Sequence, residues 1–108
     1  MRRRWTSFNH EVTNREFFAL SQRDFASLTV AMRAFRMDEG AGYVVKHYGE
    51  GLMMIKSANQ TQGRCLFFTI REERNQEVLV ALLVYKKESD AVPHHVEATA
   101  RRRMEEAK

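Results

Sequence analysis

The run Val78 to Tyr85, eight consecutive apolar residues, constrains the fold more than any other feature of this chain. It is far shorter than the roughly 20 residues a membrane helix needs, so it belongs to a soluble core. Charged residues bound it on both sides, and with its valines and leucines it reads as a strand, Glu77 to Tyr85. In a strand, alternate side chains point to opposite faces. Here Val78, Val80, Leu82 and Val84 are apolar, and so are Leu79, Ala81 and Leu83. A strand of that kind must be covered on both sides, so the helices of the chain cannot all pack on one face of its sheet.

The rest of the sequence supplies the partners. Leu52 to Lys56 and Arg64 to Arg71 read as two further strands, forming with Glu77 to Tyr85 an antiparallel meander joined by Ser57 to Gly63 and by the charged turn Glu72 to Gln76. On the middle strand, Leu66, Phe68 and Ile70 face one way and Cys65, Phe67 and Thr69 the other. Arg4 to Phe8 reads as a short edge strand. Thr13 and Glu16 match a capping box, with Val12 placed to staple onto Phe17, and a short helix is expected from there. Ser21 and Asp24 repeat the pattern. Phe25, Leu28, Met32 and Phe35 follow on one stripe, so a longer helix is expected to about Met37, stopped by Gly40 and Gly42. Tyr43 to Gly51 reads as irregular connection. Pro93 suits the first turn of a last helix whose inner face carries Val96, Ala100 and Met104.

A chain of 108 residues with no visible repeat or linker is expected to be one α+β domain, residues 1–108. Its single cysteine, Cys65, falls inside an apolar strand and has no intrachain partner, which fits a reducing cytoplasm. Arg2-Arg3-Arg4 is followed by polar residues where a signal peptide needs an apolar run, so no export signal is read there. Lys and Arg outnumber Asp and Glu by 18 to 14, which favours a polyanionic partner.

Several of those cations gather around the predicted sheet ends. Arg64 directly follows Gly63 at the mouth of a hairpin, where a guanidinium can grip a phosphate in fork geometry, although a strand-end arginine also serves in ordinary surface pairs. Lys86 and Lys87 end the apolar strand. Adjacent lysines cannot both face a core, so at least one meets solvent or a site, or guards the sheet end from aggregation. His94 and His95 open the last helix, where the dipole favours a neutral imidazole able to act as a general base. No Cys or carboxylate joins them at ligand spacing, so no zinc site is expected, and no cofactor fingerprint is present. Arg101-Arg102-Arg103, followed by Glu105 and Glu106, reads as a solvated helix face with local ion pairs.

Taken in order, Gly51-Leu52-Met53-Met54-Ile55-Lys56, Gly63-Arg64-Cys65-Leu66-Phe67-Phe68, Leu83-Val84-Tyr85-Lys86-Lys87 and Pro93 through Arg103 resemble the RelE/HigB family of toxins, in its phage-derived HigB-type branch. The stretch Phe17 to Gly40 extends the likeness over nearly the whole chain. The resemblance implies a small α+β fold in which an N-terminal helical hairpin and a C-terminal helix pack on a largely antiparallel sheet. It implies the toxin of a type II toxin-antitoxin module, an endoribonuclease that cleaves messenger RNA, usually on the ribosome, and no membrane partner. The implied protein partner is a helix-turn-helix antitoxin. Carried over by position, Arg64, Lys87 and His95 are the catalytic candidates, with His94 in place of His95 if the match slips by one residue. Lys56, Tyr85, Lys86 and His94 are the RNA-binding candidates. Lys56 stands where the family usually has arginine, and Phe67 and Phe68 lack the hydroxyl of a family aromatic. These departures keep two other readings open: a non-enzymatic gyrase inhibitor like the ParE relatives, and an inactive homologue acting only in a repressor complex with its antitoxin.

Overall fold

The computed structural model describes residues 2–72 and 74–108. Along the chain these form β1 (Arg2–Ser7), α1 (His10–Phe18), α2 (Gln22–Met37), β2 (Tyr43–His47), β3 (Met53–Ser57), β4 (Gly63–Glu72), β5 (Gln76–Lys86) and α3 (His94–Ala107). The sheet runs in the order β1-β5-β4-β3-β2. β1 pairs with β5 in parallel and the other three pairings are antiparallel, so the expected α+β class holds.

β5 is an inner strand, and its two-sided apolarity is met by helices on opposite faces. Leu79, Ala81 and Val84 join Leu28 and Met32 of α2, with Ile55, Cys65 and Phe67 of the sheet. Val78, Val80, Leu82 and Leu83 join Ala100 and Met104 of α3, with Met54, Leu66 and Phe68. Phe67 and Leu82 are fully buried, and each large apolar side chain so enclosed stabilises the fold by roughly 1.5–3 kcal/mol. Val96, Ala100 and Met104 do face the core, as their spacing predicts. Trp5 pins β1 beneath α2, its ring edge-on to Phe67 at 5.1 Å and its indole N–H donating to the Met32 carbonyl at 2.8 Å.

β5 is bulged. Leu66 pairs with Leu83 but Phe67 pairs with Ala81, so Leu82 is an extra residue. Before the bulge the even-numbered residues of β5 face α3, whereas after it Leu83 and Tyr85 do. β1 also runs out here, with Ser7 opposite Ala81. The edge of β5 beyond that point is closed by side chains: Glu16 Oε1 accepts from the Val84 N–H at 3.0 Å, and Arg103 Nη1 donates to the Leu82 carbonyl at 2.9 Å. The two side chains meet each other at 2.8 Å, and the Arg103 guanidinium lies 4.8 Å from the centre of the Phe8 ring.

Several local expectations are corrected. The cap of α1 is Asn9, which accepts from the Val12 N–H at 3.2 Å, one turn before Thr13. Thr13 is buried inside the helix, its hydroxyl donating to the Asn9 carbonyl, and Glu16 is committed to β5. Ser21 caps α2 as expected, accepting from the Asp24 N–H at 3.1 Å. α2 ends at Met37, but the left-handed residue that stops it is Asp38, before either glycine. β1 starts at Arg2 and ends at Ser7. Tyr43–His47, read as irregular, is the strand β2 on the outer edge of β3. The arginine triplet is not a solvated face, because Arg101 binds Glu97 and the Tyr48 carbonyl while Arg103 binds Glu16.

Replacing Glu16 by Ala leaves the Val84 N–H without its acceptor and a mostly buried guanidinium without its counter-charge. Urea unfolding should show a loss of about 2–3 kcal/mol for Glu16→Ala, a similar loss for Arg103→Ala, and much less than the sum for the double variant. Additive losses would show that the two residues act separately.

Candidate functional site

The α3 face of the sheet is not covered evenly. One register row, Val44 on β2, Lys56 on β3, Arg64 on β4 and Tyr85 on β5, lies at the sheet end where β4 begins and β5 stops. A cleft of about 860 Å³ opens there, lined by Val44, Lys56, Arg64 and Lys87, by the polar loop 57–62, and by Glu88, Ser89 and Asp90.

Arg64 is the fixed point. It is only 6% exposed, and Nη1 donates to the Thr61 carbonyl at 2.7 Å and the Gly63 carbonyl at 2.9 Å. Those bonds use one side of the fork and neutralise no charge, so the rest of the guanidinium stays available to an anion. The loop that supplies Thr61 is itself anchored, since the Asp24 carboxylate accepts from the Gln62 N–H at 2.9 Å and the Gln62 carbonyl accepts from the Lys87 N–H at 2.7 Å. Gly63 packs closely on α2: a Cβ there would meet the Asp24 carbonyl at 3.1 Å and the Leu28 side chain at 3.3 Å, tighter than most such contacts. α2 thereby sets the position from which Arg64 starts.

Like charges crowd the cleft. Among the described residues Lys46, Lys56 and Arg64 have no carboxylate partner, and only Lys87 does, its ammonium lying 3.0 Å from Asp90. Partial burial lowers the pKa of Lys56, and Lys46, Arg64 and Lys87 lower it further against the opposing charge of Asp90. Burial also lowers that of Arg64, while Tyr85, Asp24 and Tyr48 act in the opposite sense. The Tyr85 hydroxyl is pushed up to about 12, first by burial and then by Tyr48, with Arg64 opposing, so it is a neutral donor at physiological pH. Burial raises Tyr48 as well, Arg64 opposing and Glu97 adding. Three cations, Lys56, Arg64 and Lys87, line the cleft, and Lys46 is near enough to act on Lys56, an arrangement whose charge suits a polyanion.

Among the seven candidates named from sequence, Lys56, Arg64 and Lys87 line one cleft, and Tyr85 shares the register row of the first two. Lys86 does not join them. It pairs with Gly63 one position along β5 from Tyr85, which puts it on the α2 face, exposed. His94 and His95 are exposed on the first turn of α3 and are not among the residues lining the cleft. Lys46, Tyr48, Thr61 and Asp90 were missed. Lys46 follows from Val44 by alternation once β2 is known to be a strand, whereas nothing local announces Tyr48, Thr61 or Asp90. Cys65 is fully buried, and burial raises its thiol pKa, so it takes no part. Among the described residues no three His, Cys, Asp or Glu side chains gather as metal ligands, and no helix is long and apolar enough to cross a membrane. The chain matches no protein-family model and no curated protein.

The crowding carries a stability cost with a definite sign. A lysine whose pKa is lower in the folded state destabilises the fold wherever it is protonated, and that cost disappears as pH rises from the folded toward the unfolded pKa. Lys56→Gln should therefore raise Tm at neutral pH by roughly 1–3 °C, with the gap to the parent closing above about pH 10. A lower Tm in a calorimetric scan would mean that Lys56 contributes packing that outweighs the repulsion.

Proposed function

We propose that this protein is an endoribonuclease that cleaves messenger RNA, the toxin of a type II toxin-antitoxin module, acting in the cytoplasm on ribosome-bound message and neutralised by a helix-turn-helix antitoxin. The observation that carries the reading is Arg64, held by two backbone carbonyls, unpaired with any carboxylate among the described residues, and flanked in one cleft by Lys56 and Lys87. The three-layer α+β arrangement agrees with the resemblance to RelE/HigB toxins.

In this reading the ribose 2′-oxygen attacks the adjacent phosphorus, the bond from phosphorus to the 5′-oxygen breaks, and a 2′,3′-cyclic phosphate and a 5′-hydroxyl result. Arg64 and Lys87 stabilise the charge that builds on the pentacoordinate phosphorus. Lys56 takes the proton from the 2′-hydroxyl. Its ammonium is disfavoured by burial and by Lys46, Arg64 and Lys87, so it gives a neutral amine at lower pH than an ordinary lysine. Tyr85, protonated to about pH 12, gives a proton to the departing 5′-oxygen, and the proton taken by Lys56 returns to the phenolate through solvent. His94 and His95, outside the cleft lining, serve as contacts to flanking nucleotides instead of the proton carrier expected from sequence.

Primer extension on a defined message in a purified translation system tests the reading. New cuts should appear with the parent protein and fall at least a hundredfold with Arg64→Ala and with Lys87→Gln, the second variant lying on a partly exposed side chain that folding does not depend on. Intact message with the parent protein would reject the nuclease reading.

The base assignment has its own test. Cleavage by the parent should rise with pH toward the lowered pKa of Lys56, because only the neutral amine accepts a proton. Lys56→Arg keeps the charge but cannot lose its proton, so single-turnover cleavage should drop by about 10²–10⁴ with RNA binding retained. Equal rates in parent and variant would place the base elsewhere.

A further inference from the structure

The loop after β5 places acid inside a cationic cleft. Glu88, Ser89 and Asp90 all line it, and the Asp90 carboxylate lies 3.0 Å from the Lys87 ammonium while its own side chain is fully exposed. The loop does not need this pair for its shape. Its backbone is fixed by the Lys87 N–H on the Gln62 carbonyl, and the Ser89 hydroxyl donates to the Ala91 carbonyl at 2.9 Å. An ion pair this exposed adds little to stability. Yet Lys87 first, by hydrogen bond and by charge, and then Lys46 and Lys56 all lower the pKa of Asp90, so the carboxylate lies within the field of three lysines.

From this geometry we infer that Asp90 is a built-in counter-anion: it holds Lys87 in the place a substrate phosphate will take, and RNA must displace it to enter. The inference rests on the proposed reading of the cleft as an RNA site. A carboxylate and a phosphodiester are both single negative charges offering oxygen acceptors, so they compete for the same ammonium. A ligand that reaches Lys87 alone trades one pairing for another and gains little. A strand that also reaches Lys46, Lys56 and Arg64 gains contacts that Asp90 never supplied. Asp90 thus acts as a selectivity residue, favouring polynucleotide over the abundant mononucleotides of a cell.

Asp90→Asn removes the charge and keeps the size. The probes are a single-stranded oligoribonucleotide made uncleavable by 2′-deoxy substitution, read by fluorescence anisotropy, and 5′-AMP as its competitor. Asp90→Asn should bind the oligonucleotide about fivefold more tightly at low salt, with a smaller gain at high salt, and 5′-AMP should compete against the variant at concentrations that leave the parent unaffected. In cleavage assays KM should fall without a loss of kcat, because the charge removed opposes entry and also holds up the pKa of Lys56. The double variant Asp90→Asn/Lys87→Gln should lose the gain. Unchanged or weaker binding by Asp90→Asn, or a fall in kcat, would overturn the inference and make Asp90 a support that orients Lys87. If Arg64→Ala still weakens binding in that case, the RNA reading of the cleft survives. If Arg64→Ala changes nothing either, both fall together.

Discussion

A strand buried on both faces and flanked on both edges has to satisfy every backbone group it carries, and β5 meets that demand with two kinds of partner. As far as Ala81 the bonds come from β1 and β4. Beyond it β1 has ended, and Glu16 and Arg103 supply the acceptor and the donor that a neighbouring strand would have offered. The ion pair joins α1, β5 and α3 at a single point, so the two helical layers on either side of the sheet are tied through the strand they enclose. Because both side chains are mostly shielded and both make further hydrogen bonds, the pair offsets its own desolvation in a way that an isolated surface bridge does not.

The cationic cleft follows from the same economy of cover. α3 buries the middle of its face of the sheet with Ala100 and Met104 and leaves the row from Val44 to Tyr85 open. Three of the four side chains in that row, Lys56, Arg64 and Tyr85, carry a polar or charged end, and the fourth, Val44, is exposed. Arg64 is held there by carbonyls, and the loop supplying them is held by Asp24 of α2 on the other face. The cleft end of the sheet is therefore positioned from both layers, and its surplus positive charge is tolerated because the core beneath it is closed.

Sequence showed these features unevenly, for identifiable reasons. The double-sided run of β5, the stripe of α2 and the inner face of α3 are periodic over many residues, and each forms the expected element, although the bulge at Leu82 puts Leu83 on the α3 side and Val84 on the α2 side, opposite to the expected alternation. Lys56, Arg64 and Lys87 flank strand ends, so knowing the strands was enough to bring them together. β2 was missed because an edge strand of five residues containing Lys46 and His47 alternates weakly and resembles a loop. Glu16 was assigned to a local cap when its partners lie 68 and 87 positions away, a distance that no spacing rule reaches. His94 and His95 were legible as a helix start but not as a direction: which way a first turn faces depends on how the whole helix is seated, and that is fixed by Ala100, Met104 and the arginines further on.

The bulge at Leu82 has a consequence for the adjacent lysines. A strand with period two keeps one parity along its length, and one inserted residue inverts that parity from there onward. In β5 the inversion lies between the apolar core and the basic end, so the phase that packs Val78 and Val80 against α3 is not the phase that aims Tyr85. Were the same residues to alternate without a bulge, Lys86 would inherit the α3 face and Tyr85 would turn toward α2, leaving the core half of the strand in place. Which residues of the basic end serve the cleft is thus decided by a bulge inside the hydrophobic core.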